Sequence, residues 1–130
     1  MSVSPKTVVL GAGAWGTALA LAQARAGRDV TLWSRSADAA SQINDQQGNE
    51  AYLPGIRFDA PLRVTANAAE ALGDASLVIA VIPAQSLREA LVTLAPHVPA
   101  KIPVILCAKG IEKNTGLLMS AVLRQCLPHN

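Results

Sequence analysis

Aromatic side chains, clustered charge and cysteine are all scarce in this sequence, and each shortage removes a class of function. Trp15, Trp33, Tyr52 and Phe58 are its only aromatics, and 11 basic and 9 acidic residues leave a net charge of +2. The charges are scattered without a run. A nucleic-acid surface needs a basic stripe, often interleaved with stacking aromatics, so no nucleic-acid partner is expected. Cys107 and Cys126 lack metal-type spacing and are expected to be reduced thiols, buried or half-buried. No apolar stretch approaches the roughly 20 residues of a membrane span. The start lacks the charged segment and long apolar core of a secretory signal. No membrane insertion is expected, and the location inferred is cytoplasmic.

What the chain does have is core. With 130 residues, 51% of them hydrophobic and 15% charged, it is long and apolar enough for one domain rather than a disordered segment. Four apolar runs predict strands: Thr7 to Leu10, Asp29 to Trp33, Ser76 to Ile82 and Pro103 to Ala108. Three are nearly continuous in Val, Ile and Leu, as in a parallel sheet covered on both faces. Leu62 to Thr65 is a weaker fifth candidate.

Between the runs the period becomes helical. Trp15, Leu19, Ala22 and Ala26 form an apolar stripe that Gly27 ends. Asn67 with Glu70, and Ser86 with Glu89, fit capping boxes at two further helix starts. Leu87, Leu91 and Leu94 line one face before Pro96, and a last helix is expected after Asn114 or Thr115, carrying Leu118, Ala121, Val122 and Gln125. Strands alternating with helices predict an α/β, doubly wound parallel sheet of five strands in the order 3-2-1-4-5. There is no internal repeat. One long irregular stretch, Asn44 to Pro61, is expected to be functional or mobile.

The densest chemical signal lies in KTVVLGAGAWG, residues 6 to 16, where a strand-like run flows into Gly11, Gly13 and Gly16 and then into a helix. The glycines have distinct roles in a Rossmann dinucleotide turn: Gly11 permits the tight turn, Gly13 lets backbone approach a pyrophosphate, and Gly16 lets helix and strand pack closely. Amides at the helix start have no intrahelical partner and carry the positive end of the helix dipole. Trp15 sits between two of these glycines and reads equally as a core aromatic or as a cofactor-side residue.

Where an NAD-specific site places an acidic residue at the end of the second strand, this chain has Trp33-Ser34-Arg35. Ser34 cannot repel a 2′-phosphate, and the Arg35 guanidinium can pair with one, so NADP(H) is favoured and NAD(H) remains possible. Pro83 and Lys109-Gly110 follow the fourth and fifth strands, where a crevice opens in doubly wound sheets. A lysine there attracts a substrate phosphate or carboxylate, although position alone favours an exposed turn residue.

Together GAGAWGTALA at 11 to 20, LWSR at 32 to 35, NEAYLPG at 49 to 55 and AKGIE at 108 to 112 closely resemble the amino-terminal part of bacterial NAD(P)-dependent glycerol-3-phosphate dehydrogenases. The resemblance covers essentially the whole chain. It implies reduction of dihydroxyacetone phosphate to sn-glycerol 3-phosphate by NADPH or NADH, which supplies glycerophospholipid synthesis. By matching motifs, Trp15, Arg35 and Lys109 correspond to positions that contact the cofactor, and Lys109 also reaches the substrate phosphate. Position 14, commonly Ser in that family, is Ala here, so Ala14 is expected to bind through its backbone N–H alone.

Family members are more than twice as long, with a carboxy-terminal helical domain that supplies the catalytic lysine. Residues 1–130 are therefore expected to form an N-terminal NAD(P)-binding domain, incomplete at its C-terminal side, with a sixth strand to follow and no turnover of its own. No residue here suits the general acid, and His97 and His129 are read as surface histidines. Apolar surface left uncovered would favour self-association, with a homodimer as one outcome. Two alternatives remain at this point: the cofactor half of another two-domain reductase, such as a ketopantoate reductase or a hydroxyacid dehydrogenase, or a non-catalytic dinucleotide sensor.

Overall fold

Aliphatic and β-branched runs become the strands of a single parallel sheet: β1 Lys6–Leu10, β2 Asp29–Trp33, β3 Arg63–Thr65, β4 Ala75–Ala80 and β5 Val104–Leu106. The computed structural model describes residues 5–130, so Met1 to Ser4, part of the segment read as lacking a secretory signal, lie outside it. The strand order is β3-β2-β1-β4-β5, as the alternation of strands and helices predicts. Central β1 pairs along its whole length with β2, from Lys6 opposite Asp29 to Leu10 opposite Trp33. On its other side Leu10 stands opposite Ala80 of β4.

Five helices cover the sheet: α1 Ala14–Arg25, α2 Ala37–Gln46, α3 Ala68–Leu72, α4 Ala84–Leu94 and α5 Met119–Cys126, with a 3-10 turn at Ala95–His97. Two cores result, one on each face. Leu21 and Ala24 of α1 and Ile43 of α2 pack against Val9, Leu32 and Val64. Leu87, Leu91 and Leu94 of α4 and Val122 of α5 pack against Val8, Leu10 and Val78. At about 25 cal/mol per Å² of apolar area, each such fully buried aliphatic side chain contributes roughly 1.5–3 kcal/mol before the entropy of ordering it is set against the gain.

Local chemistry sets the boundaries. Ser36 caps α2 by accepting from the Ala39 N–H at 3.1 Å, and Asn67 caps α3 by accepting from the Glu70 N–H at 2.9 Å. Such caps contribute about 1 kcal/mol each. The box at Asn67 closes differently from the reading: its own N–H donates to Thr65 Oγ1 at 3.1 Å rather than to Glu70. Gly27 ends α1 as expected, with its N–H on the Ala24 carbonyl and the Arg28 N–H on the Gln23 carbonyl, the paired bonds of a Schellman motif.

Four expectations need correction. The buried face of α1 is Thr17, Ala20, Leu21 and Ala24, while Trp15, Ala22 and Ala26 are exposed. This helix is apolar on nearly every side, so two overlapping stripes satisfied the same period. Ser86 caps nothing: α4 starts at Ala84 behind Pro83, and Ser86 is already in its first turn, its N–H on the Pro83 carbonyl at 2.9 Å. The last helix starts at Met119, because residues 111–118 close a hairpin in which Ile111 bridges to Leu118 and the Glu112 N–H meets the Leu117 carbonyl at 2.8 Å. Edge strand β5 is not covered on both faces, since Ile105 is 48% exposed.

The irregular stretch is shorter than expected. Asn44 to Gln46 belong to α2, and the rest is held by a bridge between Gly48 and Arg57 and by the Phe58 N–H on the Gln47 carbonyl at 2.7 Å.

Candidate functional site

The carboxyl ends of β1, β2, β4 and β5 open onto one cleft of about 630 Å³, where open α/β sheets hold ligands. Its floor is the turn after β1. Gly11 runs at φ +115°, and a Cβ there would strike the Val81 carbonyl. A Cβ on Gly16 would collide with the Gly11 carbonyl oxygen, so α1 can leave β1 this closely only with glycine at that position. Around Gly13 the reverse holds: an added Cβ would meet nothing within 4 Å. That open space is a cradle which a ligand can enter and a side chain would partly fill.

Gly13 is also the N-cap of α1 and offers no side chain to the helix end. The first helical bond runs from the Thr17 N–H to the Gly13 carbonyl at 3.0 Å, so the amides of Ala14, Trp15 and Gly16 have no backbone acceptor. No acidic residue stands in the first turn. Three free donors at the positive end of a twelve-residue helix, with no carboxylate to quench them, are chemically suited to an anion.

All seven residues singled out from the sequence, Gly11, Gly13, Ala14, Trp15, Gly16, Arg35 and Lys109, line this one cleft. Trp15 is 61% exposed, which removes the core reading. Arg35 follows β2, and Lys109 follows β5; both are exposed, and neither makes a hydrogen bond or ion pair among the described residues. Ser34 is buried beside Arg35, its Oγ donating to the Ser36 carbonyl at 3.2 Å and accepting from the Ser36 N–H at 3.3 Å. His97 and His129 are exposed and do not line the cleft.

The segment beyond Lys109 is tethered to α4. The Arg88 guanidinium donates to both Glu112 carboxylate oxygens, at 2.9 and 3.0 Å, and also to Gln125 Oε1 at 2.8 Å. Gln85 accepts from the Lys113 N–H at 3.1 Å and donates to the Ile111 carbonyl at 2.9 Å. The bond from Arg88, with another from the Thr115 hydroxyl, holds the Glu112 carboxyl below the usual carboxylate range. Cys107 and Cys126 are unpaired and half-buried, and burial pushes the Cys126 thiol up, which keeps it protonated and unreactive at neutral pH.

Sequence reasoning missed two residues on the loop after α2. Tyr52 is exposed and lines the cleft, and its rarity in an aromatic-poor chain was the available signal. Asn49 is only 3% exposed and touches the glycine turn itself. No periodicity marks it. Among the described residues there is no cluster of potential metal ligands, and no helix is long and apolar enough to cross a membrane.

Comparison with known proteins agrees with this geometry. The family model described as NAD-dependent glycerol-3-phosphate dehydrogenase N-terminus matches residues 6–130. A glycerol-3-phosphate dehydrogenase (NAD(P)+) of Chelativorans sp. is 52% identical over 94% of this chain, and one of Rhodospirillum rubrum is 48% identical over 92%. The chain spans 37% and 34% of the length of those two relatives. The crystal structure of glycerol-3-phosphate dehydrogenase from Coxiella burnetii superposes with a TM-score of 0.88 at 31% identity, over 95% of this chain and 38% of that one. A ketopantoate reductase from Ralstonia eutropha shares the fold alone, with a TM-score of 0.69 at 22% identity. With a match that runs from the first residue of β1 to Asn130, this chain belongs to the family of the NAD-dependent glycerol-3-phosphate dehydrogenase N-terminus.

Proposed function

We propose that the cleft holds NADPH or NADH, and that residues 1–130 are the coenzyme-binding part of an enzyme that reduces dihydroxyacetone phosphate to sn-glycerol 3-phosphate, in the cytoplasm, for glycerophospholipid synthesis. The observation that carries this reading is the anion site itself: three unpartnered amides at Ala14, Trp15 and Gly16 above the open space at Gly13. The residues present fit a dinucleotide. A pyrophosphate seated on those amides satisfies donors that the fold leaves free, and it needs no hydroxyl at Ala14 because the backbone supplies the contact.

The two unpaired cations divide the remaining charge. Arg35 lines the cleft beyond β2, and an unpaired guanidinium there, able to pair with a ribose 2′-phosphate, supports NADP(H) over NAD(H). Lys109 lines the cleft beyond β5, and an unpaired ammonium there supports a contact with the nicotinamide end and with a substrate phosphate. When bound, the reduced nicotinamide supplies the hydride taken up by the ketone carbon. The alcohol oxygen also needs a proton, and neither His97 nor His129 reaches the cleft to give one.

Trp15 and Trp33 are the only tryptophans, and both line the cleft, so intrinsic fluorescence reports on the site directly. Titration with NADPH and with NADH is expected to quench this emission saturably. Emission that stays unchanged with both, together with no binding by equilibrium dialysis, overturns the reading.

A further inference from the structure

We propose that Asn49 is a positioning residue for the dinucleotide pyrophosphate, acting through the glycine turn rather than by touching the ligand's phosphates; the proposal rests on the dinucleotide reading above. Asn49 is 3% exposed, and its side-chain amide donates twice: to the Ala12 carbonyl at 2.9 Å and to Thr17 Oγ1 at 2.9 Å. Ala12 lies between the first two glycines of the turn, and Thr17, fully buried, donates its N–H to the N-cap carbonyl of Gly13. One side chain therefore spans the turn from its start to the first turn of α1.

The consequence is electrostatic as well as steric. A free carbonyl beside an anion site repels phosphate oxygens, and Ala12 carries the carbonyl immediately before Gly13. Engaged by the Asn49 amide, that oxygen has one lone pair taken up by a donor and its repulsion of an anion is reduced. The free amides of Ala14, Trp15 and Gly16 then line the cleft with that acceptor already engaged. Such preorganisation removes an ordering cost from binding.

Asn49 also reaches the turn from a distant element. Its own carbonyl accepts from the N–H groups of Tyr52 and Leu53, at 3.3 and 2.7 Å, so the loop that places Tyr52 at the cleft is folded around the residue that braces the turn. An aspartate at position 49 would have the same shape but no donors, and an acceptor would then face the Ala12 carbonyl. The amide is required for its two hydrogens.

The test compares Asn49→Ala with the unmodified chain, using NADPH and adenosine 2′-phosphate, which carries the adenine, the ribose and the 2′-phosphate but no pyrophosphate. The expected result is a dissociation constant for NADPH about tenfold higher in the variant, with that for adenosine 2′-phosphate unchanged. A general loss of structure would weaken both ligands together, so equal losses, or no loss, overturn the proposal. Should Asn49→Ala fail to fold by circular dichroism, Thr17→Val, which keeps the volume and removes one acceptor, is expected to show the same split in smaller measure. An unchanged ratio of the two constants in folded Thr17→Val overturns it. Failure of the unmodified chain to bind NADPH instead overturns the dinucleotide reading on which the proposal stands.

Discussion

Arg35 and Lys109 follow strands separated by three steps of the sheet, about 14 Å, and among the described residues each lines the cleft without a carboxylate partner. On the proposed reading, the unpaired guanidinium at the end of β2 sets coenzyme choice at the residue scale, since the adjoining Ser34 engages its hydroxyl with Ser36 and supplies no carboxylate to a ribose diol. Arg35→Ala is expected to weaken NADPH by roughly 1–3 kcal/mol, the scale of a charge-assisted contact, while NADH affinity barely moves. Fluorescence titration of both coenzymes reads this directly. Equal losses would assign the arginine to adenine stacking or to local folding. Arg35 was legible because it replaces a carboxylate where one is informative. Asn49 was not, because its partners lie 37 and 32 residues away and only the folded loop brings them together.

The element that matters most after α1 is the hairpin of residues 111–118, since it follows Lys109 directly and is fastened to α4 by Arg88 and Gln85. The fastening is pH-dependent. Arg88 and the Thr115 hydroxyl lower the Glu112 carboxyl from its ordinary value of 4.5, so the folded state binds that proton less tightly than the unfolded chain. Stability from the pair is fully present above that ordinary value and is lost as pH falls through the lower folded one. Glu112→Gln is therefore expected to unfold at lower urea than the unmodified chain at pH 7, with the two curves converging in acid once the folded carboxyl is protonated. A constant difference across that range would show that charge is not what holds the hairpin. The Arg25–Asp59 pair, by contrast, has both side chains more than half exposed, and salt is expected to screen it. At this scale the strands were readable because β-branched runs have few alternatives. The hairpin was not: Asn114, Thr115 and Gly116 carry helix-start and turn chemistry alike, and the tether to α4 decides between them.

Over the whole molecule the sheet separates two cores that meet only through their shared strands, one under α1 and α2 and the other under α3, α4 and α5. Parallel topology was legible in the alternation of strands with helices, and the order 3-2-1-4-5 then puts β1 and β4 side by side, where the cleft opens between the two halves. The half-exposed outer face of β5 was not legible, because an apolar run reads the same at an edge as at the centre of a sheet. A dinucleotide laid along the strand ends would touch residues anchored in both cores: Gly13, Trp15 and Arg35 on one side, Pro83 and Lys109 on the other. Binding would then stabilise the molecule as a unit rather than one half of it. With NADPH at a hundredfold excess over its dissociation constant, linkage adds about 2.7 kcal/mol to the native state, which for a chain of this length raises the melting temperature by on the order of 10 °C. Circular dichroism, tryptophan fluorescence and scanning calorimetry should report the same shift in one transition. A transition that splits on adding NADPH, with only part of the signal moving, would mean that the coenzyme grips one core and leaves the other to melt alone.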